Sequence, residues 1–480
     1  MKRNILLTLC LLCCFVYQTN AQNWPKSFSG IYAKCLVESY DNGYYITGPK
    51  SNYKLSWILK TDINGSLIWS KIIGSNQYIC IVSSIEPTED GGFIISGGMQ
   101  KYDPTSGMDP FLIKLNSCGS IEWCKVINTS YSYDWAIYAK TTTQNEILVL
   151  TINSAPNPNY HTQLFKFSNS GDLIWRQNYP NEGMSFEDTP SNLLIENDSY
   201  LITGSCYYPE PGIPGGYERP YFIKTDTAGN IIWRLVYGSS NGFHGITFYS
   251  TIASNSNKYY SMTTHSNTCD TPALVKFSFE GTEDYYQDIM PGACPGGAGA
   301  INWLNDSTFI IKVIGIINNS EILKWIQIDT LGVEKQAQIY SELWMRYSGH
   351  AIMTSDNKIA SLSSNGGQTI YFYKLNSNLE FDSIYTMPHV YDSLCPYPIV
   401  SDTIDPDCGL IVNIEEPDKI PEMFNLIIYP NPAKDLMTVK IPRYLQKQSG
   451  PAGFQVTTVY HQWGTAILKV YDLKGMKKME

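Results

Sequence analysis

Lys60-Thr61-Asp62-Ile63-Asn64-Gly65-Ser66-Leu67-Ile68-Trp69 is a phrase that the chain repeats, whole or worn, seven times. Phe111-Leu112-Ile113-Lys114-Leu115-Asn116 leads to Gly119 and Trp123, Leu164-Phe165-Lys166 to Gly171 and Trp175, and Phe222-Ile223-Lys224-Thr225-Asp226 to Gly229 and Trp233. Later copies decay: Tyr285 replaces the tryptophan, Gln327 the lysine, and Leu379 the glycine. The anchors fall at 60, 114, 166, 224, 276, 327 and 374, a period of 47 to 58 residues.

A second phrase precedes each copy, as in Asp41-Asn42-Gly43-Tyr44-Tyr45-Ile46-Thr47-Gly48 and Asp90-Gly91-Gly92-Phe93-Ile94-Ile95-Ser96-Gly97. Each unit therefore carries two short Asx/Gly turns, each flanked by β-type runs, which spells four strands, a to d. Four-stranded units of this length, repeated side by side, are the signature of a β-propeller. The sequence predicts an all-β fold with seven blades between residues 22 and 388; eight blades is the structural alternative. The turn glycine answers the need for a positive φ. The strand-d tryptophan is expected to wedge between its own blade and the next, where burial removes roughly 150–250 Å² from water, at most about 4–6 kcal/mol. Trp24-Pro25-Lys26-Ser27-Phe28-Ser29-Gly30 reads like a strand d, so the N-terminus is expected to complete the last blade; Phe381 to Met387 competes for that place.

Composition bounds the rest. The chain has 480 residues, 43% hydrophobic and 16% charged, and 35 tyrosines, which suits a folded strand-rich protein. A net charge of −10 argues against a nucleic-acid partner. Lys2 and Arg3, an apolar run from Ile5 to Val16 and Thr19-Asn20-Ala21 read as a secretory signal peptide, residues 1–21. The mature chain has no further run long enough to span a membrane. Residues 389–424, with many Pro and Asp, read as a linker.

Alternating strands around Tyr429-Pro430-Asn431-Pro432-Ala433, with Val470-Tyr471-Asp472-Leu473-Lys474-Gly475 further on, give a small β-sandwich over 425–480. This stretch resembles the type A C-terminal sorting domain of the type IX secretion system, in partial form, ending at Glu480. The resemblance implies an immunoglobulin-like sandwich, with Tyr429, Pro430, Asn431 and Pro432 as the sorting motif. It also implies the type IX machinery as partner and delivery outside the cell or onto the outer-membrane surface, or retention in the periplasm if the shortened domain fails. The repeats resemble the propeller repeats often attached to such domains, and that likeness carries no catalytic residues.

The a–b and c–d turns share one face and are uniform; the b–c and d–a connections share the other and vary. Recognition is usually built on variable loops over a rigid scaffold. Tyr133, Asp134, Trp135, Tyr207, Tyr208, Tyr217 and His244 fall there as candidate ligand-binding residues. Such an aromatic, polar rim suits a glycan or a peptide. No catalytic motif, metal-ligand spacing or cofactor fingerprint is present, so no catalytic residue, metal or cofactor is assigned. The reading is a secreted binding module, with a polysaccharide-directed hydrolase on the same face as the alternative. Asp62 and Asn64 are explained by an Asx turn without calcium. Cys118 and Cys124 are too far apart along one strand to pair, whereas Cys269 with Cys294, and Cys395 with Cys408, are candidate disulfides.

Overall fold

The computed structural model describes residues 24–411 apart from the connecting segments 101–106, 128–133, 155–159, 180–187, 211–212, 240–241, 247–250, 255, 267–269, 292–295, 318–319, 341–349, 365–368 and 388, together with the backbone of short strands beyond 428. Seven antiparallel sheets follow one another along the chain. Blade one spans 35–73, two 79–127, three 135–179, four 188–236, five 245–288, six 296–340 and seven 351–375. No α-helix occurs among the described residues. The fold is a seven-bladed β-propeller.

Blade seven takes its fourth strand from the N-terminus: Lys26–Ser29 pairs antiparallel with Thr369–Leu375, Lys26 opposite Phe372. The competing segment contributes only the isolated bridge between Leu375 and Phe381. The ring is thus closed by an N-terminal strand that joins the sheet of blade seven, which hides an edge at the seam.

The turn chemistry is as read. Gly65, Gly119, Gly171, Gly229, Gly281 and Gly332 have φ between +69° and +82°, and Leu379 holds the same place at +62°. Asp62 Oδ1 accepts the amides of Asn64 and Ser66 at 2.9 and 2.7 Å, and Asp226 and Asp329 repeat the pattern. The tryptophans do join blades, in a way that gives the glycine a second duty. A Cβ on Gly171 would lie 2.9 Å from the Trp123 indole, one on Gly229 3.0 Å from Trp175, and one on Gly281 2.7 Å from Trp233. Each indole therefore packs beneath the next blade's turn. Trp123 and Trp233 also donate to carbonyls there, those of Asn169 and Phe279, at 2.9 and 2.7 Å. Trp24 seats on Gly65 in the same manner and closes the circle. Trp123, Trp175 and Trp233 are half-buried, so their contribution falls below the full-burial figure.

The anchor lysine has a role the repeats did not disclose. Lys60 binds Asp41 at 2.5 Å, Lys114 binds Asp90 at 2.7 Å, Lys166 binds Glu146, Lys224 binds Glu196 at 3.2 Å and Lys374 binds Asp356 at 2.7 Å. In each case strand c holds the lysine and the a–b turn or its edge supplies the carboxylate. That ion pair physically couples the two repeated phrases.

Residues 389–411 do not behave as the expected linker. They form a strap on blades one and two, and the first compact unit runs to Asn413. Tyr391 Oη accepts the Ile63 amide at 2.8 Å, and Lys71 binds Asp402 at 2.6 Å. Asp402–Ile404 and Gly409–Ile411 add parallel strands to the outer edges of blades one and two. The cysteine pairing differs accordingly. Cys395 bonds Cys118 and Cys408 bonds Cys124, with Cα separations of 4.9 and 4.5 Å, rather than Cys395 bonding Cys408. Spacing within the strap suggested a local staple; its docking onto blade two puts Cys395 against the c–d turn at Cys118 and Cys408 against the middle of strand d at Cys124. Cys269 and Cys294 lie outside the described residues.

The second unit, residues 414–480, contains an antiparallel pair, Ile428–Tyr429 with Thr438–Val439, and a three-stranded sheet of Phe454–Tyr460, Ala466–Asp472 and Lys477–Met479. Pro430, Asn431 and Pro432 lie outside the described residues. No described helix is long and apolar enough to cross a membrane.

Candidate functional site

Blade four carries the longest hairpin in the ring, Ser199–Glu210 paired with Ile213–Asp226. Its extension past the sheet brings Tyr208, Tyr217 and His244 together, with Tyr207 on the opposite face of the hairpin. Tyr208 and Tyr217 face each other across the hairpin, with Tyr207 opposite Glu218. The His244 ring, from the connection to blade five, lies 3.8 Å from that of Tyr217. Arg219 organises this corner: it is buried, its Nη1 donates to the carbonyls of Gly238 and Phe243, and its Cζ lies 5.3 Å from the Tyr208 ring. Burial lowers the His244 pKa, and the charges of Arg219 and His265 add to the effect. Tyr207 and Tyr217 remain 39% and 37% exposed, which leaves aromatic surface for stacking.

The remaining candidates stand elsewhere. Asp134 is buried and its amide donates to Met108 O at 2.9 Å. Trp135 begins strand a of blade three, packs on Gly98 and is 37% exposed. Tyr133 lies outside the described residues.

A second place was not foreseen. The innermost strands line a partly open cavity of about 250 Å³ on the ring axis, with residues from every blade: Leu36 in one, Glu86 in two, Tyr138 and Lys140 in three, Asn192 in four, Ile252 in five, Asn302 in six, and His350 with Ile352 in seven. Tyr138 Oη and His350 Nε2 are 3.3 Å apart. Burial, then the charges of Lys140, Lys312 and Lys34, pull the His350 pKa down to about 4, so this imidazole is neutral at pH 7. Glu86 is pushed above the ordinary carboxylate value by burial, which Lys140 and Thr141 only partly offset. No periodic signal could have found this site, because each blade contributes only one to three residues to it, of different types. Among the cavity-lining residues Glu86 is the single carboxylate, and no metal-binding cluster occurs among the described residues.

No family model and no curated protein matches the chain. Among solved structures it is similar to a polysaccharide lyase of family PL25, an ulvan lyase bound to -[GlcA(1-4)Rha3S]-, at 11% identity and a TM-score of 0.49, covering 76% of this chain and 97% of that one. It is also similar to the GH93 α-L-arabinofuranosidase of Fusarium graminearum, at 12% identity and a TM-score of 0.42 over 63% and 94% of the two chains. Drosophila Semaphorin 1b matches at 8% identity and a TM-score of 0.43 over 74% and 87%. These likenesses concern the fold alone.

Proposed function

We propose that this protein is an exported binding module that recognises a glycan or a peptide on the variable face of its propeller. The observation that carries the reading is the blade-four corner, where Tyr208 and Tyr217 share one face of the extended hairpin, His244 packs on Tyr217 and buried Arg219 lies against Tyr208. Aromatic faces supported by a rigid sheet lose little entropy when a sugar ring or an extended peptide stacks on them. The hydrolase alternative, on the same variable face, needs two carboxylates about 5–9 Å apart across a pocket there.

The test is a glycan and peptide array probed with the propeller, residues 22–413, followed by titration of each hit. Binding without turnover, reduced at least tenfold in Tyr208→Ala/Tyr217→Ala, supports the module. Product release from a bound glycan supports the hydrolase instead.

Export through residues 1–21 and surface delivery by residues 425–480 belong to the same proposal. A reporter fused to residues 414–480 and expressed in a bacterium with a type IX system is expected at the cell surface, and Pro430→Ala/Pro432→Ala is expected to hold it in the periplasm. Equal surface delivery of both would remove the sorting role.

A further inference from the structure

The strap across blades one and two turns its polar groups inward and its apolar side chains outward. Asn64 Nδ2 donates to Thr386 O at 2.7 Å, the Thr386 amide donates to Asn64 Oδ1 at 3.0 Å, and Lys71 Nζ donates to Val400 O at 3.2 Å. Tyr391, Asp392 and Cys395 are taken up in the same way by Ile63, Trp69 and Cys118. Yet Ile384, Met387, Val390, Tyr397 and Val400 are 62–82% exposed. Exposed aliphatics elsewhere are scattered, as with Ile174 in blade three and Ile231 with Ile232 in blade four, which is ordinary for a protein surface. Five large apolar side chains this exposed, in one short segment, present on the order of several hundred Å², near the roughly 800 Å² that one partner gives a standard interface. Holding the strap to the ring does not require them, because the polar groups do that.

Charge says what can cover them. From Ser383 to Ser401 the only charged side chain at neutral pH is Asp392. The ring engages it from within, through Trp69 at 2.9 Å and Lys60 at 3.9 Å. On a chain of net charge −10, this is a stretch where two copies can meet without like-charge repulsion. An anionic bilayer would be repelled by that net charge, and the segment has no Lys or Arg to hold lipid headgroups. A basic partner would meet no carboxylate that the ring has not already engaged.

From these observations we infer that the strap is a self-association surface, on which two copies of this chain pair strap to strap about a two-fold axis. An isologous contact needs a patch that complements itself, and an uncharged apolar surface does so. The hydrogen bonds and the disulfide fix the strap before it meets a partner, so little ordering is left to oppose association. The strap lies against the a–b and c–d turns, at Asp41, Ile63 and Cys118, whereas the blade-four corner belongs to the opposite, variable face. Pairing therefore leaves both rims open and does not depend on what they bind.

The experiment is sedimentation equilibrium of residues 22–480. A dimer is expected at micromolar concentration. Met387→Asp/Val390→Asp is expected to weaken it at least tenfold, because each copy would press two charges against the other's apolar surface. Both positions are exposed, so the far-ultraviolet circular dichroism of this variant should match wild type. Tyr397→Asp alone is expected to act in the same direction, and Ile232→Asp, on blade four, to leave the dimer unchanged. A monomer up to tens of micromolar, or a dimer that survives the strap variants, would overturn the inference, as would a dimer that Ile232→Asp dissociates equally. Vesicles of phosphatidylcholine and phosphatidylglycerol test the other occupant: a wild-type monomer that co-sediments with them, and a double variant that does not, would assign the strap to a lipid surface instead.

Discussion

Trp69 Nε1 donates a 2.9 Å hydrogen bond to Asp392 Oδ2, across 323 residues of sequence. In blades two and four the equivalent indoles donate instead to the next blade's turn. Blade one therefore gives its indole hydrogen bond to the strap that follows the ring, while the Trp69 ring still stacks on Phe93 of blade two at 6.3 Å. Asp392 also lies 3.9 Å from Lys60 Nζ, and its amide donates to Asp41 Oδ2 at 2.9 Å. The strap thus enters the ion pair of blade one as well as covering its edge.

Peptide mapping under non-reducing conditions should recover Cys118 joined to Cys395 and Cys124 joined to Cys408. Replacing Cys118 and Cys395 together by alanine is expected to cost about 2–4 kcal/mol. It should also speed proteolysis between residues 389 and 411. A Cys395–Cys408 peptide would contradict the docking of the strap.

Lys60 and Lys114 separate two kinds of ion pair. Lys60 and Asp41 have side chains 0% and 4% exposed, whereas the partners of Lys114, Asp90 and Glu122, are 48% and 41% exposed. Burial lowers the Lys60 pKa, and Asp41 and Asp392 restore part of it; the Asp41 carboxyl is held low because Lys60, the Asp392 amide and Ser39 outweigh its own burial. Lys60→Met strands two carboxylates out of water and is expected to cost about 3–5 kcal/mol. Lys114→Met leaves carboxylates that rehydrate, at about 1 kcal/mol or less. Chemical denaturation of both variants checks this, and equal losses would refute the distinction.

The ring was legible because its contacts recur. Asp62 to Gly65 and Trp123 mark a turn and an indole whose partners lie at a fixed period. Contacts made once leave no such trace. Tyr391 reaches Ile63, and Tyr138 reaches His350, across 328 and 212 residues with no second instance to align. Lys60 was in plain view as part of the phrase. Its partner Asp41 stood in the other phrase, and only the pleat, which sets Lys60 opposite Tyr45 beside the a–b turn, brings the charges together. Tyr208 and Tyr217 of blade four converged because one hairpin carries them, while Trp135 belongs to another blade.

Acid should unfold the ring through its turn carboxylates. The pKa values of Asp41, Asp90 and Asp356 all lie below the ordinary 3.8: burial pushes each upward, but bonds from Lys60, Lys114 and Lys374 and from Ser39, Thr88 and Thr354 outweigh it. A depressed folded pKa contributes stability that is present above 3.8 and lost as pH falls through the folded values. Asp392, whose pKa burial raises, works in the opposite sense and softens the slope. Melting temperature is expected to fall steeply below about pH 4. In Lys374→Met it should start lower at pH 7 and fall less, since Asp356 has lost its main partner. A wild-type melting temperature unchanged between about pH 5 and pH 2 would exclude the mechanism.

Leu379 gives the sharpest contest between backbone and core. It occupies the turn position held by glycine in the other complete copies, at φ +62°, and a left-handed backbone costs a branched residue roughly 1–2 kcal/mol. Its side chain is fully buried beside Tyr373, Phe372 and Trp24 in the closing blade, however. Truncating a buried leucine costs about 2–5 kcal/mol. Leu379→Gly is therefore expected to destabilise by about 1–3 kcal/mol although it relieves the turn. Gly281→Ala should destabilise for the opposite reason, because its φ of +78° gains a Cβ that meets the Trp233 indole at 2.7 Å. Both variants should melt below wild type. A Leu379→Gly protein that melts higher would mean that turn geometry, rather than packing at the seam, limits the stability of the seventh blade.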